Sequence, residues 1–391
     1  GVALAPFQAD TCALLAPLYT HTEGIRRVFA PAGHVIRPGE RLHIPDLAET
    51  LTALARAGDD YARRGPLAHA LLADQAANGG LLTAADLDAY AVLRPAPIRL
   101  AYRDHEVLLP PLCSAGGVLT AFTLRLLSAF DVVAWPHGSA GHLQLLVEVM
   151  AATTRARARW DGWLDALGDE AATARLLDER TVAAAHDEIR AALADRQPSS
   201  VAPEPPGPAN TSHLSVMDGE GLAVGLTTTA GESAGYIVPG TGYIANNMLG
   251  EEDLHPRGFH TRPAGQRIPT MMTPAVILHG GRPRLVVGSG GSARIRSAIL
   301  QTLSNLLDYR LPLDDAVNRA RVHLDGEVLQ CEAGYDPRAV DALENMGYRV
   351  NRWSARSIYF GGAHSVARDD AGRLWAAGDN RRGGATAAVE G

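Results

Sequence analysis

A stretch of proline and small polar residues constrains this chain most: Pro198-Ser199-Ser200-Val201-Ala202-Pro203-Glu204-Pro205-Pro206-Gly207-Pro208-Ala209-Asn210. Proline fixes φ and lacks an amide hydrogen, so such a run enters neither a helix interior nor a sheet. It reads as the one clear linker, and the chain changes character across it. Before it, apolar residues recur at helical spacing in Leu47 to Ala57, Leu67 to Ala77 and Val118 to Phe130. A long helix is expected from about Gly141 to Trp160, then a polar one over Thr181 to Ala194. Gly79-Gly80 stops a helix and Thr83 caps the next, while Ile98 to Leu109 alternates as a strand pair does. Beyond the linker come strands at His213 to Asp218, Gly221 to Thr229, Ala275 to Leu278 and Arg284 to Val287, and a helix from about Arg294 to Leu307. The division is therefore 1–210, helix-rich, and 211–391.

Composition removes several chemistries. The 391 residues include no lysine, so pyridoxal Schiff bases and Walker-type phosphate loops are excluded. A net charge of −7 gives no basic footprint for nucleic acid. Cys12, Cys113 and Cys331 stand far apart, so neither a disulfide framework nor a zinc ribbon is legible, and the compartment stays open. No apolar run is long enough for a membrane span, and a soluble protein is expected. His255 and His260 lack HExxH spacing and a cysteine partner, so no metal and no organic cofactor are expected.

The chemistry concentrates where the linker meets a strand, at Asn210-Thr211-Ser212-His213-Leu214-Ser215-Val216-Met217-Asp218. If the backbone is cut between Asn210 and Thr211, Thr211 holds both a nucleophilic hydroxyl and a free amine. The ordinary pKa of that amine, about 7.7–8.0, suits a general base near neutral pH. A hairpin centred on Glu220 pairs Asp218 with Leu222, and carrying that register along the strands sets Thr211 opposite Thr229. Opposed side chains lie about 5 Å apart at Cβ, so a second hydroxyl there can orient the first. A surface hairpin of β-branched residues is the plainer alternative.

Gly288-Ser289-Gly290-Gly291-Ser292-Ala293-Arg294 follows a strand and opens a helix. Unpaired backbone amides and the positive end of a helix dipole converge there, which suits an oxyanion. A phosphate site or a bare tight turn fits the same pattern.

These segments, with Pro239-Gly240-Thr241-Gly242 and Asn246-Asn247-Met248-Leu249-Gly250-Glu251-Glu252-Asp253, resemble the γ-glutamyltransferase (γ-glutamyltranspeptidase) family of N-terminal nucleophile hydrolases. The likeness covers nearly all of 211–391. It extends more loosely over 40–160, through Pro110-Pro111-Leu112-Cys113-Ser114-Ala115-Gly116-Gly117. It implies an α+β fold, a four-layer αββα sandwich, and self-cleavage at Asn210-Thr211 into a large and a small fragment that stay associated. It also implies Thr211 as nucleophile, Thr229 as its support, and amides around Gly290, Gly291 and Ser292 as the oxyanion hole. Asn247, Glu251, Thr270 and Met271 fall at positions that contact the glutamyl group. The implied reaction transfers a γ-glutamyl group from glutathione-like amides, as the small-molecule partner, to water or an amine acceptor.

Departures from the family pattern bear on the substrate. Ala230 stands where an Asn is usual in the segment after the supporting hydroxyl, Met248 where a Gln is common, and Thr270-Met271 where two serines are usual. Apolar side chains cannot replace hydrogen bonds to a zwitterionic glutamate. The part of the family's large subunit that supplies an arginine for the α-carboxylate has no counterpart here, so either the chain is a fragment or the substrate is held differently. Two alternatives follow: an acylase of the same family acting on another acyl group, or a catalytically degenerate relative. Gly231-Glu232-Ser233-Ala234-Gly235 spells a nucleophile elbow, but a strand and turn, not a helix, are expected after Ser233. Glu251-Glu252-Asp253 reads as a solvated loop when taken alone. Arg155-Ala156-Arg157-Ala158-Arg159 and Arg381-Arg382 read as solvated faces.

Overall fold

The computed structural model describes residues 1–202, 211–255 and 257–389. Pro203–Asn210, most of the proline-rich stretch, thus lies outside the described residues. The chain forms two compact units, Gly1–Arg94 with Ala230–Met248 and Pro95–Thr229 with Leu249–Gly391. Each unit draws on sequence from both sides of that stretch.

In the first unit, helix Glu23–Phe29 and its neighbour Pro6–Leu14 bury Ile25, Val28, Phe29, Ala9 and Cys12 around one small core. Ile237 and Ile244 pack against it and bridge to each other as a short antiparallel pair. The segment after Ser233 therefore is the extended stretch and turn anticipated, with no helix following the serine. Helices Leu47–Ala57 and Pro66–Asn78 lie where the apolar spacing placed them. Thr83 caps Ala84–Ala89 by accepting the Asp86 amide.

In the second unit the core is a six-stranded antiparallel sheet. Its order is Leu374–Ala377, His364–Arg368, Arg282–Gly288, Ala275–His279, His105–Leu109, Ile98–Tyr102. Helices Ala115–Ser128 and Arg294–Leu307 pack on it and on each other. The first is capped by Ser114, whose Oγ accepts the Gly117 amide at 2.9 Å. Both bury most of their residues, the first largely apolar and the second including polar side chains such as Arg296 and Gln301. Helix Ala140–Leu167 carries the middle of the unit and packs along Glu179–Asp195 and a separate three-stranded sheet, Val322–Asp325, Val328–Cys331 and Arg349–Arg352.

A two-stranded ribbon, Thr211–Met217 with Ala223–Thr229, lies on the six-stranded sheet. Side chains alternate across a strand, so one ribbon face meets the sheet through His213 and Gly225, which approach Gly288 and Val286. The other face presents Leu214, Val216, Leu222, Val224 and Leu226 to solvent. The described residues thus form a mixed α and β fold around a central antiparallel sheet, as expected of the α+β class. Among these residues, no helix is long and apolar enough to cross a membrane.

Candidate active site

The ribbon register is the one inferred from its turn: Asp218 N donates to Leu222 O, and Thr211 stands directly opposite Thr229. The Thr211 hydroxyl donates to Thr229 Oγ1 at 3.3 Å, and Thr211 itself is buried. His213 fixes the ribbon to the sheet. Its Nδ1 lies 2.8 Å from Thr227 Oγ1 and its Nε2 2.9 Å from Ser215 Oγ, which donates to His364 O. Ser215 has spent its proton, so His213 carries hydrogen on Nε2 and accepts at Nδ1 as a neutral imidazole. Burial, reinforced by His364, pulls its pKa down to about 4.

The glycine loop closes on this strand from the sheet side. Strand Arg282–Gly288 runs into Ser289–Ala293 and then into helix Arg294–Leu307, the strand–loop–helix order anticipated. A Cβ on Gly290 would stand 2.2 Å from Thr211 O, so only glycine permits this approach. Ser289 Oγ accepts the Gly362 amide at 3.0 Å, tying the loop to a second segment. Ser292 holds φ at +52°, a left-handed conformation that a serine adopts at a cost of order 1–3 kcal/mol when its surroundings enforce it. The enforcing partner is Asp253, whose carboxylate accepts the Ser292 hydroxyl.

That contact corrects the reading of Glu251-Glu252-Asp253 as a solvated loop. Glu251 and Asp253 are buried, and the Asp253 carbonyl accepts Arg157 Nη2 at 2.6 Å. Arg157 and Arg381 likewise are not solvated faces: both are buried. Arg381 pairs with Glu332 at 2.5 Å and Asp379 at 3.1 Å, and Asp379 pairs with Arg321 at 2.7 Å. Guanidinium groups enter a core when each charge is matched and each donor is placed, which a one-dimensional reading of a short basic run cannot detect. The cluster anchors the segment that carries Arg382, whose Nη1 donates to Thr211 O at 3.4 Å. Burial, then the neighbouring Arg294, pulls the Arg382 pKa down to about 10.

Thr211, Thr229, Gly290, Gly291 and Ser292 are therefore brought together, and Glu251 lies in the segment that braces Ser292. Thr270 and Met271 sit against the turn before helix Ala115–Ser128, where Thr270 N donates to Cys113 O at 2.8 Å and Gly116 N to Thr270 O at 3.1 Å. The Thr270 hydroxyl accepts the Met272 amide, and Met271 is buried. Asn247 belongs to the first compact unit, where its Oδ1 accepts the Glu232 amide at 2.8 Å. Asn210 lies outside the described residues. His213 was given no role from sequence, and Asp253 and Arg382 were named only within runs read as solvated.

A shallow, open cleft adjoins Thr270 through Cys113 and Pro269 and is lined also by Arg157, Trp160, Asp161 and Arg262. Burial, then Arg257 nearby, lowers the Arg262 pKa.

The profile of the Gamma-glutamyltranspeptidase family matches residues 1–389. The chain belongs to the γ-glutamyltranspeptidase family. Among its relatives is the Acylase ACY 1 proenzyme of a Pseudomonas species, 33% identical over 395 residues that span all of this chain and 69% of that protein. The glutathione hydrolase proenzyme of Escherichia coli is 29% identical over 382 residues, covering 92% of this chain and 64% of that protein. The crystal structure of cephalosporin acylase from Bacillus halodurans superposes with a TM-score of 0.84 at 22% identity, covering all of this chain and 72% of its own. This last likeness shows a shared fold.

Proposed function

We propose that this γ-glutamyltranspeptidase-family chain is a self-processing amidase that uses Thr211 as an N-terminal nucleophile and prefers an acyl donor other than glutathione. The observation that carries the reading is the Thr211 hydroxyl, aligned 3.3 Å from Thr229 in a buried ribbon against the Gly290–Ser292 loop. Scission of the Asn210-Thr211 bond gives fragments 1–210 and 211–391, which remain associated, and frees the Thr211 amine. That amine takes the hydroxyl proton as Oγ1 attacks the amide carbonyl. The oxyanion is held by backbone amides at Gly291 and Ser292, and loss of one such donor costs roughly 10²–10³ in rate. Collapse expels the amine with the proton and leaves an acyl ester on Thr211, which water or an acceptor amine then cleaves.

Three observations support an acylase over a glutathione hydrolase. The acylase relatives share 33% identity over the whole chain, against 29% for the Escherichia coli glutathione hydrolase. Ala230, Met248 and Met271 withdraw polar groups from positions that would hold a glutamyl ammonium or carboxylate. The cleft beside Thr270 carries Arg262, whose guanidinium suits an acyl chain ending in a carboxylate. N-terminal sequencing of the purified protein, with release rates from glutaryl and γ-glutamyl anilides, tests the reading. A new terminus at Thr211 and faster glutaryl release are expected. Turnover by a chain uncut at that bond refutes the mechanism, and faster γ-glutamyl release refutes the donor preference.

A further inference from the structure

At one end of the six-stranded sheet, two hairpins bring imidazoles together. Strand pairing sets Glu106 opposite Leu278 and Val107 opposite Ile277. One step further along the same antiparallel ladder places His105 beside His279, and their rings stand 4.8 Å apart at 43°. Asp104, in the turn between Ile98–Tyr102 and His105–Leu109, reaches both. Its Oδ1 is 2.7 Å from His105 Nδ1 and its Oδ2 is 3.7 Å from His279 Nδ1.

Three features set this cluster apart from an ordinary surface ion pair. His105 Nδ1 is buried against the Asp104 carboxylate oxygen at 2.7 Å, in a geometry that satisfies no hydrogen bond. The His105 ring is mostly buried and its orientation is fixed by the strand, whereas His279 is half exposed and can turn. The Asp104 carbonyl lies 3.2 Å from His279 Nδ1, where it can accept a hydrogen from that nitrogen and orient the ring. The nearby cation Arg284 is paired with Asp370 at 3.1 Å.

We propose that Asp104, His105 and His279 bind a divalent transition metal of the zinc class, through one imidazole nitrogen from each histidine and one carboxylate oxygen, with water completing the shell. Mixed imidazole and carboxylate donors suit zinc, nickel or copper, and calcium or magnesium would require oxygen donors throughout. The three ligand atoms already lie within 4.8 Å of one another. Zinc bonds of about 2.0–2.2 Å require ligands roughly 3.3 Å apart, so the exposed Asp104 carboxylate must draw back from His105, which it approaches at 2.7 Å, while the half-exposed His279 ring turns in. A metal held there fastens two hairpins whose sequence separation exceeds 170 residues. The site does not depend on the reaction assigned to Thr211.

The test is titration of the purified chain with zinc chloride, by calorimetry and by thermal unfolding, in buffer free of chelators. One equivalent is expected to bind in the micromolar range, and zinc at a hundredfold excess over Kd should raise Tm by about 3 °C. His279→Ala, at an exposed position, should leave the zinc-free Tm unchanged yet weaken binding at least tenfold and abolish the zinc-induced rise. Asp104→Asn should weaken binding in the same direction, and magnesium chloride should give no rise. Equal zinc affinity in the native chain and His279→Ala, or no binding by the native chain, overturns the proposal.

Discussion

Replacing Gly290 by alanine probes the contact on which the proposed chemistry depends. The added Cβ would stand 2.2 Å from Thr211 O and 3.0 Å from both Thr211 C and Arg382 Nη1. Real Cβ atoms essentially never come within 3.0 Å of another heavy atom, so the strand or the loop must retreat by about 0.8 Å or more. Neither neighbour is a flexible tip. Thr211 O belongs to a strand paired along its whole length with Ala223–Thr229, and the loop is tied through Ser289 and Ser292. A displacement near 1 Å between nucleophile and oxyanion donors costs about 10²-fold in rate. The same shift misplaces the bond before Thr211 for scission. Gly290→Ala should therefore lose about a hundredfold in anilide hydrolysis and slow the appearance of the smaller fragment on denaturing electrophoresis. Gly162→Ala is the control: its Cβ meets nothing within 4 Å in the exposed middle of a helix. It should keep full activity and gain about 0.5–1 kcal/mol of stability. Gly290→Ala with activity within about threefold of the native chain would refute the packing argument and, with it, the pairing of loop and nucleophile.

Thr211→Ala should abolish scission and turnover together, while Thr229→Val, which removes the hydroxyl 3.3 Å away, should reduce both without changing Tm by more than about 1 kcal/mol equivalent. Arg381→Met should destabilise the chain by about 3–5 kcal/mol in denaturant titration, because it takes the guanidinium from the buried Glu332 carboxylate and leaves Asp379 with Arg321 alone. Buried neutral histidines make the fold acid-sensitive. His213 and His142 have folded pKa values of about 4 and about 3, below their ordinary value of about 6.5, so the unfolded chain binds more protons between those limits. Stability is then fully present above pH 6.5 and falls as pH drops toward 4, by up to about 3 kcal/mol for His213 alone. Tm measured from pH 7.5 to 4.5 should decline, and His142→Phe should flatten that decline.

Local chemistry made much of this architecture legible. The Glu220 turn fixes the ribbon register, because side-chain period and hairpin geometry leave little freedom between Asp218-Leu222 and Thr211-Thr229. Helix Leu47–Ala57 follows from apolar spacing, and Arg294–Leu307 follows the glycine loop. The sheet order is a different matter: Ala275–His279 sits between His105–Leu109 and Arg282–Gly288 through pairing across most of the chain, and no local signal encodes it. Burial of charge was misjudged for the same reason. Arg157, Asp253 and Arg381 look like surface residues until partners from distant segments, Ser292 and Glu332 among them, neutralise or brace them. Asn247 shows a further limit, since sequence neighbours Asn247 and Glu251 fall in different compact units.

The ribbon that bears Thr211 is only one backbone thick. Thr211 and His213 point inward, and Leu214 and Leu226, paired with each other, stand more than half exposed on the reverse. Among the described residues, the strand that carries the proposed nucleophile thus also bears an exposed, greasy face, so any micelle, air–water boundary or oily solid that wets the outer leucines tugs directly on the geometry around Thr211. Loss of turnover on adsorption, ahead of any loss of helix signal, is the behaviour such a construction confers.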